Sequence, residues 1–147
     1  MADFLTTKGI SHQLDQIIKK SEKTLYILSP YLRLSPTIYE SIIDAIRRNV
    51  NVNIIYGKSE ITSDQDKLLK KLNCNVFFKE NLHGKCYANE TTAIITSMNL
   101  HTFSEVNNRE FGVLINKRTD SIAFNDCITE IESIINQAST IATIERR

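Results

Sequence analysis

Residues 83–99, HGKCYANETTAIITSMN, interrupt the rhythm of the chain. Two short β-rich runs flank the turn residues NETT, the pattern of a hairpin. A hairpin sets antiparallel strands into what would otherwise be a parallel sheet, so this stretch decides that the sheet is mixed. It also carries His83 and Lys85 two residues apart, on what should be one face of a strand, where a buried position would take apolar side chains.

Ahead of the hairpin the chain alternates helix and strand. Ile10, Leu14, Ile17 and Ile18 recur at helical spacing across KGISHQLDQIIKKSEK, which predicts an amphipathic first helix. TLYILSP (24–30) is short, apolar and stopped by Pro30, as expected of a buried strand. The next helix opens with Ser35 as N-cap and Pro36 in its first turn, and carries Ile38, Ile42, Ile43 and Ile46 along one side. VNVNIIYG and NVFFKE read as further strands, separated by a helix through KLLKKL that Ser63, Asp64 and Asp66 would cap. Beyond the hairpin, REFGVLI adds a strand, and Ile122, Ile128, Ile131 and Ile135 mark a last helix. The predicted fold class is α/β: a mixed, mainly parallel sheet flanked by helices on both faces, in one domain over residues 1–147.

Composition narrows the function. At 147 residues the chain can bury roughly 70% of its unfolded surface without metal or disulfide support. With 41% hydrophobic and 24% charged residues it has a globular composition, and no apolar run nears the ~20 residues of a membrane span. MADFLTTKGI has neither a basic n-region nor a long apolar stretch, so no secretory signal is expected and the cytoplasm is the expected compartment. Cys74, Cys86 and Cys127 are scattered, with no CxxC pair, and are expected as reduced, mostly buried thiols. No zinc spacing is present, and neither a metal nor an organic cofactor is expected. The net charge of +1 does not advertise nucleic acid by itself.

Ser97 and Asn99, again two apart, follow the return strand of the hairpin and offer a hydroxyl and an amide near His83 and Lys85. Alone, an HxK pair is most simply a solvated strand face; the combination with TSMN and with Glu110 at the start of the next strand is what singles it out. Arg33 and Lys58 follow the first and second apolar strands, where ligands collect outside carboxyl ends, and are assigned to substrate contact against the competing reading of a solvated surface. Arg47, Arg48, Lys67, Lys70 and Lys71 are expected to face solvent from helices, and His12 to be a surface or boundary residue.

These residues resemble the phospholipase D superfamily, whose signature is HxKxxxxD, then GSxN, then an acidic residue on the following strand. Here the elements stand as HGKCYANE, TSMN and NNREFGVLI. The flanking LYILSPYL, VNIIYGK and NLHGKCY are similar to the small single-motif bacterial members over about residues 10–137. Two positions depart from the signature: its aspartate falls on Glu90, or on Asn89 if the hairpin is one residue shorter, and the glycine of GSxN is Thr96.

The resemblance implies a metal-independent phosphodiesterase. His83 would attack phosphorus to form a phosphohistidine, Lys85 and Asn99 would stabilise the non-bridging oxygens, and Glu110 would accept from the second imidazole nitrogen. Ser97 joins Arg33 and Lys58 as a substrate-binding residue. A single motif lacks the acid needed opposite the nucleophile, so the resemblance implies a two-fold homodimer in which His83 of the second subunit protonates the leaving group. His101, two residues past Asn99, is the rival acid within one subunit. The expected substrate is nucleic acid, DNA ahead of RNA, with no membrane partner. Phosphatidyl transfer is the alternative enzyme, and a catalytically weak nucleic-acid-binding and dimerisation module the alternative without turnover.

Overall fold

The computed structural model describes residues 1–57, 62–100 and 108–143. The elements run β1 (Asp3–Thr6), α1 (Thr7–Lys20), β2 (Thr24–Leu28), α2 (Pro36–Arg47), β3 (Asn51–Tyr56) and α3 (Ser63–Lys71). They continue with β4 (Asn75–Phe78), β5 (Cys86–Asn89), β6 (Thr92–Thr96), β7 (Phe111–Asn116), α4 (Ser121–Gln137) and β8 (Ser139–Ala142). The strands form one mixed sheet in the order β1-β7-β6-β5-β2-β3-β4-β8.

The α/β class is as expected, but the balance of the sheet is not. Among the described residues parallel pairing is confined to β2 with β3 and β3 with β4, where helices supply the crossovers. The other pairings are antiparallel, because the hairpin inserts beside β2 and because β1 and β8 close the two edges. Both edge strands escape the sequence patterns. DFLT and STIA are four residues each and largely exposed, so no alternation of burial marks them.

Helices cover both faces. Ile10, Leu14, Ile17 and Ile18 of α1 pack with Ile38 and Ile42 of α2 and Leu69 of α3 against Leu25, Ile27, Val52, Ile54 and Tyr87. On the other face Phe124 and Ile131 of α4 meet Tyr26, Leu28, Ile55, Ala88 and Ile115. Ile122, expected on the buried stripe of α4, is 79% exposed, and Phe124 takes the buried place. At α2 the predicted cap is present, with Ser35 Oγ accepting from the Ile38 amide at 3.3 Å. At α3 the cap is Thr62 rather than Ser63, its hydroxyl accepting from the Gln65 amide at 3.2 Å. Arg48 is not merely solvent-facing: its guanidinium donates to the Ile18 and Ser21 carbonyls at 3.1 Å, closing the C-terminal end of α1.

Gly57, just past β3, sets the approach to the hairpin. A Cβ there would lie 2.6 Å from the Leu82 Cβ and 2.8 Å from the Lys79 carbonyl oxygen. Leu82 immediately precedes His83, so Gly57→Ala is expected to displace that segment and cost about 1–3 kcal/mol, read as a fall in thermal midpoint.

Candidate active site

The strand directions gather the candidate side chains at one end of the sheet. β5 is antiparallel to β2, β6 to β5 and β7 to β6, with Leu28 opposite Cys86, Cys86 opposite Ile95 and Thr96 opposite Gly112. The segment after β2, the start of β5, the segment after β6 and the start of β7 therefore share the edge at the carboxyl end of β2. Arg33, His83 with Lys85, Ser97 with Asn99, and Glu110 lie on these four segments respectively. Lys58 and the rival acid His101 fall outside the described residues. His12 is exposed on α1, as expected of a surface residue.

His83 and Lys85 are not within the strand, as the two-residue spacing predicted; they precede it. The paired strand starts at Cys86, opposite the last residue of β2, and beyond that the sheet offers no neighbour on that side. The segment stays aligned with the hairpin through the Thr96 amide, which donates to the Lys85 carbonyl at 3.3 Å. His83 is exposed and Lys85 partly buried. Lys85 Nζ donates to the His83 carbonyl at 3.0 Å, which holds the ammonium beside the imidazole-bearing residue. Among the described residues nothing hydrogen-bonds the His83 ring.

Glu110 is partnered by Ser97, not by His83: the Ser97 hydroxyl donates to its Oε2. The same hydroxyl accepts from the Phe111 amide at 3.2 Å, and the Glu110 amide donates to Thr7 Oγ1 at 2.9 Å. Ser97, assigned from sequence to substrate, thus orients a carboxylate. Asn99 Oδ1 accepts from the Tyr31 amide at 3.3 Å, joining the segment after β6 to the one after β2. Arg33 is exposed on that latter segment.

Beneath this edge lies a polar floor that the sequence reading missed. Tyr87 is fully buried and its hydroxyl donates to the Met98 carbonyl at 2.7 Å. Burial pushes the Tyr87 phenol up and outweighs the opposing effect of the Ser29 hydroxyl, so it stays a neutral donor. Ser29, also fully buried, donates to the Tyr31 carbonyl at 2.5 Å and accepts from the Leu100 amide at 3.0 Å. Tyr87 was findable: it continues the two-residue spacing of His83 and Lys85 into the sheet. Ser29 had no comparable signal, since its partner Leu100 lies 71 residues away in the chain.

Both departures from the signature have structural roles. The Glu90 carboxylate accepts from the backbone amides of Lys23 at 2.7 Å, Thr24 at 3.0 Å and Glu22 at 3.1 Å, tying the hairpin turn to the start of β2. Asn89, 2% exposed, donates to the Ile17 carbonyl at 3.0 Å and accepts from the Thr91 and Thr92 amides, which closes the turn. Thr96 donates to the Phe111 carbonyl at 2.6 Å and accepts from the Met98 amide at 3.0 Å. Space for its side chain comes from Gly112 opposite, where a Cβ would lie 3.1 Å from the Thr96 Cβ.

Burial pushes the Glu90 carboxyl up, but the hydrogen bonds from Lys23, Thr24 and Glu22 outweigh it and hold it below its ordinary value of 4.5. A depressed carboxyl contributes stability that is present above the unfolded value and lost as pH falls through the folded one. Glu90→Gln is therefore expected to cost about 1 kcal/mol at neutral pH, solvent screening keeping the figure low. In urea titrations the gap between parent and variant should narrow as pH falls below 4.5 and through the depressed folded value.

A cavity of about 640 Å³ opens between this edge and α4, lined by His83, Lys85, Ile95 and Thr96 on one side and by Asp126 and Glu130 on the other. Among the described residues no group of three or more His, Cys, Asp or Glu is placed to hold a metal ion, and no helix is long and apolar enough to cross a membrane. The cluster combines an imidazole able to attack phosphorus, an ammonium and an amide able to donate to phosphoryl oxygens, and a carboxylate able to orient a ring.

The model of the family described as cardiolipin synthase, PLD-like domain, matches residues 14–138. No curated protein sequence matches the chain significantly. Among solved structures the chain is similar to Nuc from Salmonella typhimurium, a phospholipase D family member, at 16% identity and TM-score 0.79, over 97% of this chain and 99% of that one. NucT from Helicobacter pylori is similar at 16% identity and TM-score 0.78, over 96% and 99% of the two chains. Phosphatidylserine synthase from Haemophilus influenzae Rd KW20 is similar at 14% identity and TM-score 0.77, covering 99% of this chain but 41% of that one. With its HxK and SxN residues at one sheet edge, this chain belongs to the phospholipase D superfamily.

Proposed function

We propose that the protein is a phosphodiesterase that cleaves nucleic acid, DNA ahead of RNA, through a phosphohistidine on His83 in a site shared by two copies of the chain. The observation that carries the reading is the convergence of His83, Lys85, Asn99 and Glu110 on one sheet edge beside an open cavity. His83 attacks phosphorus and forms the P–N bond. Lys85, which spends one of its three N–H donors on the His83 carbonyl, has donors for the phosphoryl oxygens, and Asn99 acts with it. The leaving alkoxide takes a proton from His83 of the second copy, and that imidazole then activates the water that breaks the P–N bond. Glu110, oriented by Ser97, accepts from the second ring nitrogen of an imidazole in the assembled site. Ser97 serves substrate through that carboxylate, while Arg33 and Lys58 contact the flanking phosphates.

An uncovered apolar strip supports the second copy. Phe4 pairs with Val113 and Val113 with Ile95, so the three share one face, and Phe111 joins them with its ring 5.6 Å from that of Phe4. These side chains are between 38% and 69% exposed. The strip continues the face that α4 covers farther along and adjoins the cavity through Ile95.

Size and likeness favour nucleic acid over lipid. The chain matches nearly the whole length of Nuc and NucT, and the archaeal chromatin protein TrmBL2, which binds DNA, shares the fold at TM-score 0.66 and 12% identity. Phosphatidyl transfer is the second reading, favoured by the family description and by the synthase likeness. Incubating the protein in EDTA with labelled DNA and RNA, and separately with labelled phospholipid vesicles, tests both. Strand cleavage with an acid-labile phosphoenzyme is the expected result. Phosphatidyl transfer alone would replace the reading, and DNA binding without cleavage would favour the non-catalytic module.

A further inference from the structure

Two of the three cysteines meet beside this site. Cys86 opens β5 directly after Lys85, Cys127 lies on α4, and their sulfurs are 3.3 Å apart across the wall of the cavity that His83 lines. Cys74 is fully buried elsewhere in the core, its thiol pushed up to about 12 by burial, and takes no part. A disulfide sulfur pair lies about 2.05 Å apart, so the two thiols need to close by only a little over 1 Å.

We propose that Cys86 and Cys127 form a reversible thiol–disulfide switch that responds to hydroperoxides and holds the His83 segment against α4 in an inactive position. The thiol–thiol hydrogen bond sets the direction of the chemistry. It stabilises the thiolate at Cys127, against the opposing effect of burial, and pushes the Cys86 thiol up with help from burial. Cys127 is also the less buried of the two. Its thiolate attacks one oxygen of hydrogen peroxide; the O–O bond breaks, a sulfenic acid forms, and the departing hydroxide takes a proton and leaves as water. The Cys86 sulfur then attacks the Cys127 sulfur, the S–S bond forms, the S–O bond breaks, and the hydroxyl departs with the Cys86 proton as a second water. The two thiols lose two electrons and the peroxide gains them.

Closing the pair draws the first residue of β5 towards α4 and carries Lys85 and His83 with it. Misplacing reacting groups by about 1 Å can cost on the order of a hundredfold in rate. The effect on turnover rests on the proposed cleavage activity; formation of the cross-link does not.

The full chain is treated with hydrogen peroxide, alkylated and analysed by mass spectrometry and peptide mapping, with cleavage assayed before and after dithiothreitol. The expected result is one Cys86–Cys127 bond with Cys74 alkylated, and a loss of cleavage of at least about tenfold that dithiothreitol restores. Cys127→Ser should cleave as the reduced parent does and keep its activity in peroxide. Failure to form the bond, or a bond that leaves cleavage unchanged, overturns the switch. Should the reduced protein prove unable to cleave, amide exchange of residues 82–85 decides alone: slowing by about tenfold on oxidation supports the switch, and unchanged exchange overturns it.

Discussion

His83→Ala is expected to lower the rate of cleavage by about 10⁴-fold or more and to abolish the acid-labile phosphoenzyme, because in the proposed scheme the ring is nucleophile in one subunit and acid in the other. The side chain is exposed and nothing hydrogen-bonds its ring among the described residues, so the variant should fold with stability within about 0.5 kcal/mol of the parent. Loss of turnover can then be assigned to chemistry. A mixing experiment adds a signature of the shared site. If subunits exchange at random, equal amounts of parent and variant leave about a quarter of the dimers with both imidazoles, so activity should fall to about a quarter rather than a half. A fall to one half would mean that each subunit works alone, and unchanged turnover in the pure variant would remove His83 from the mechanism.

The second large effect concerns the apolar strip. Phe111→Asp places a carboxylate among Phe4, Val113 and Ile95, and burying that charge against a second copy without a partner is strongly unfavourable. Sedimentation should change from dimer to monomer, while circular dichroism stays that of the parent because Phe111 is 61% exposed in the single chain. Cleavage should fall by about 10²–10⁴-fold, the contribution of general acid catalysis. Ile141→Asp is the control. It introduces the same charge at an exposed residue of β8, on the opposite edge of the sheet, and should change neither mass nor activity. A monomeric Phe111→Asp protein with full activity would show that one chain carries a complete site.

Much of the site was legible before the fold was known because its chemistry is compressed into a few residues. His83 and Lys85 are two apart, as are Ser97 and Asn99, and a hairpin turn folds one pair beside the other. What was misread is the backbone under the first pair. Alternation predicts a strand wherever it continues, but pairing stops at Cys86 because β2 ends opposite it. The partnership of Ser97 with Glu110 was likewise out of reach, since the residues belong to different strands and their contact depends on the pairing of β6 with β7.

By itself the sequence determined the helices and inner strands, the hairpin that makes the sheet mixed, and the family motif. Each of these is written in local periodicity, in caps such as Ser35, or in short spacings along one strand. Only the tertiary structure decided that most pairings are antiparallel, that β1 and β8 close the edges, and that Glu90 ties the hairpin to β2. It alone brought Ser29 beneath the site and set Cys86 against Cys127. The physical reason is the range of the interactions. Periodicity reports how a segment meets the core, whereas these contacts pair hydrogen-bonding groups or sulfurs from segments far apart in the chain, and their partners exist only after the sheet has assembled.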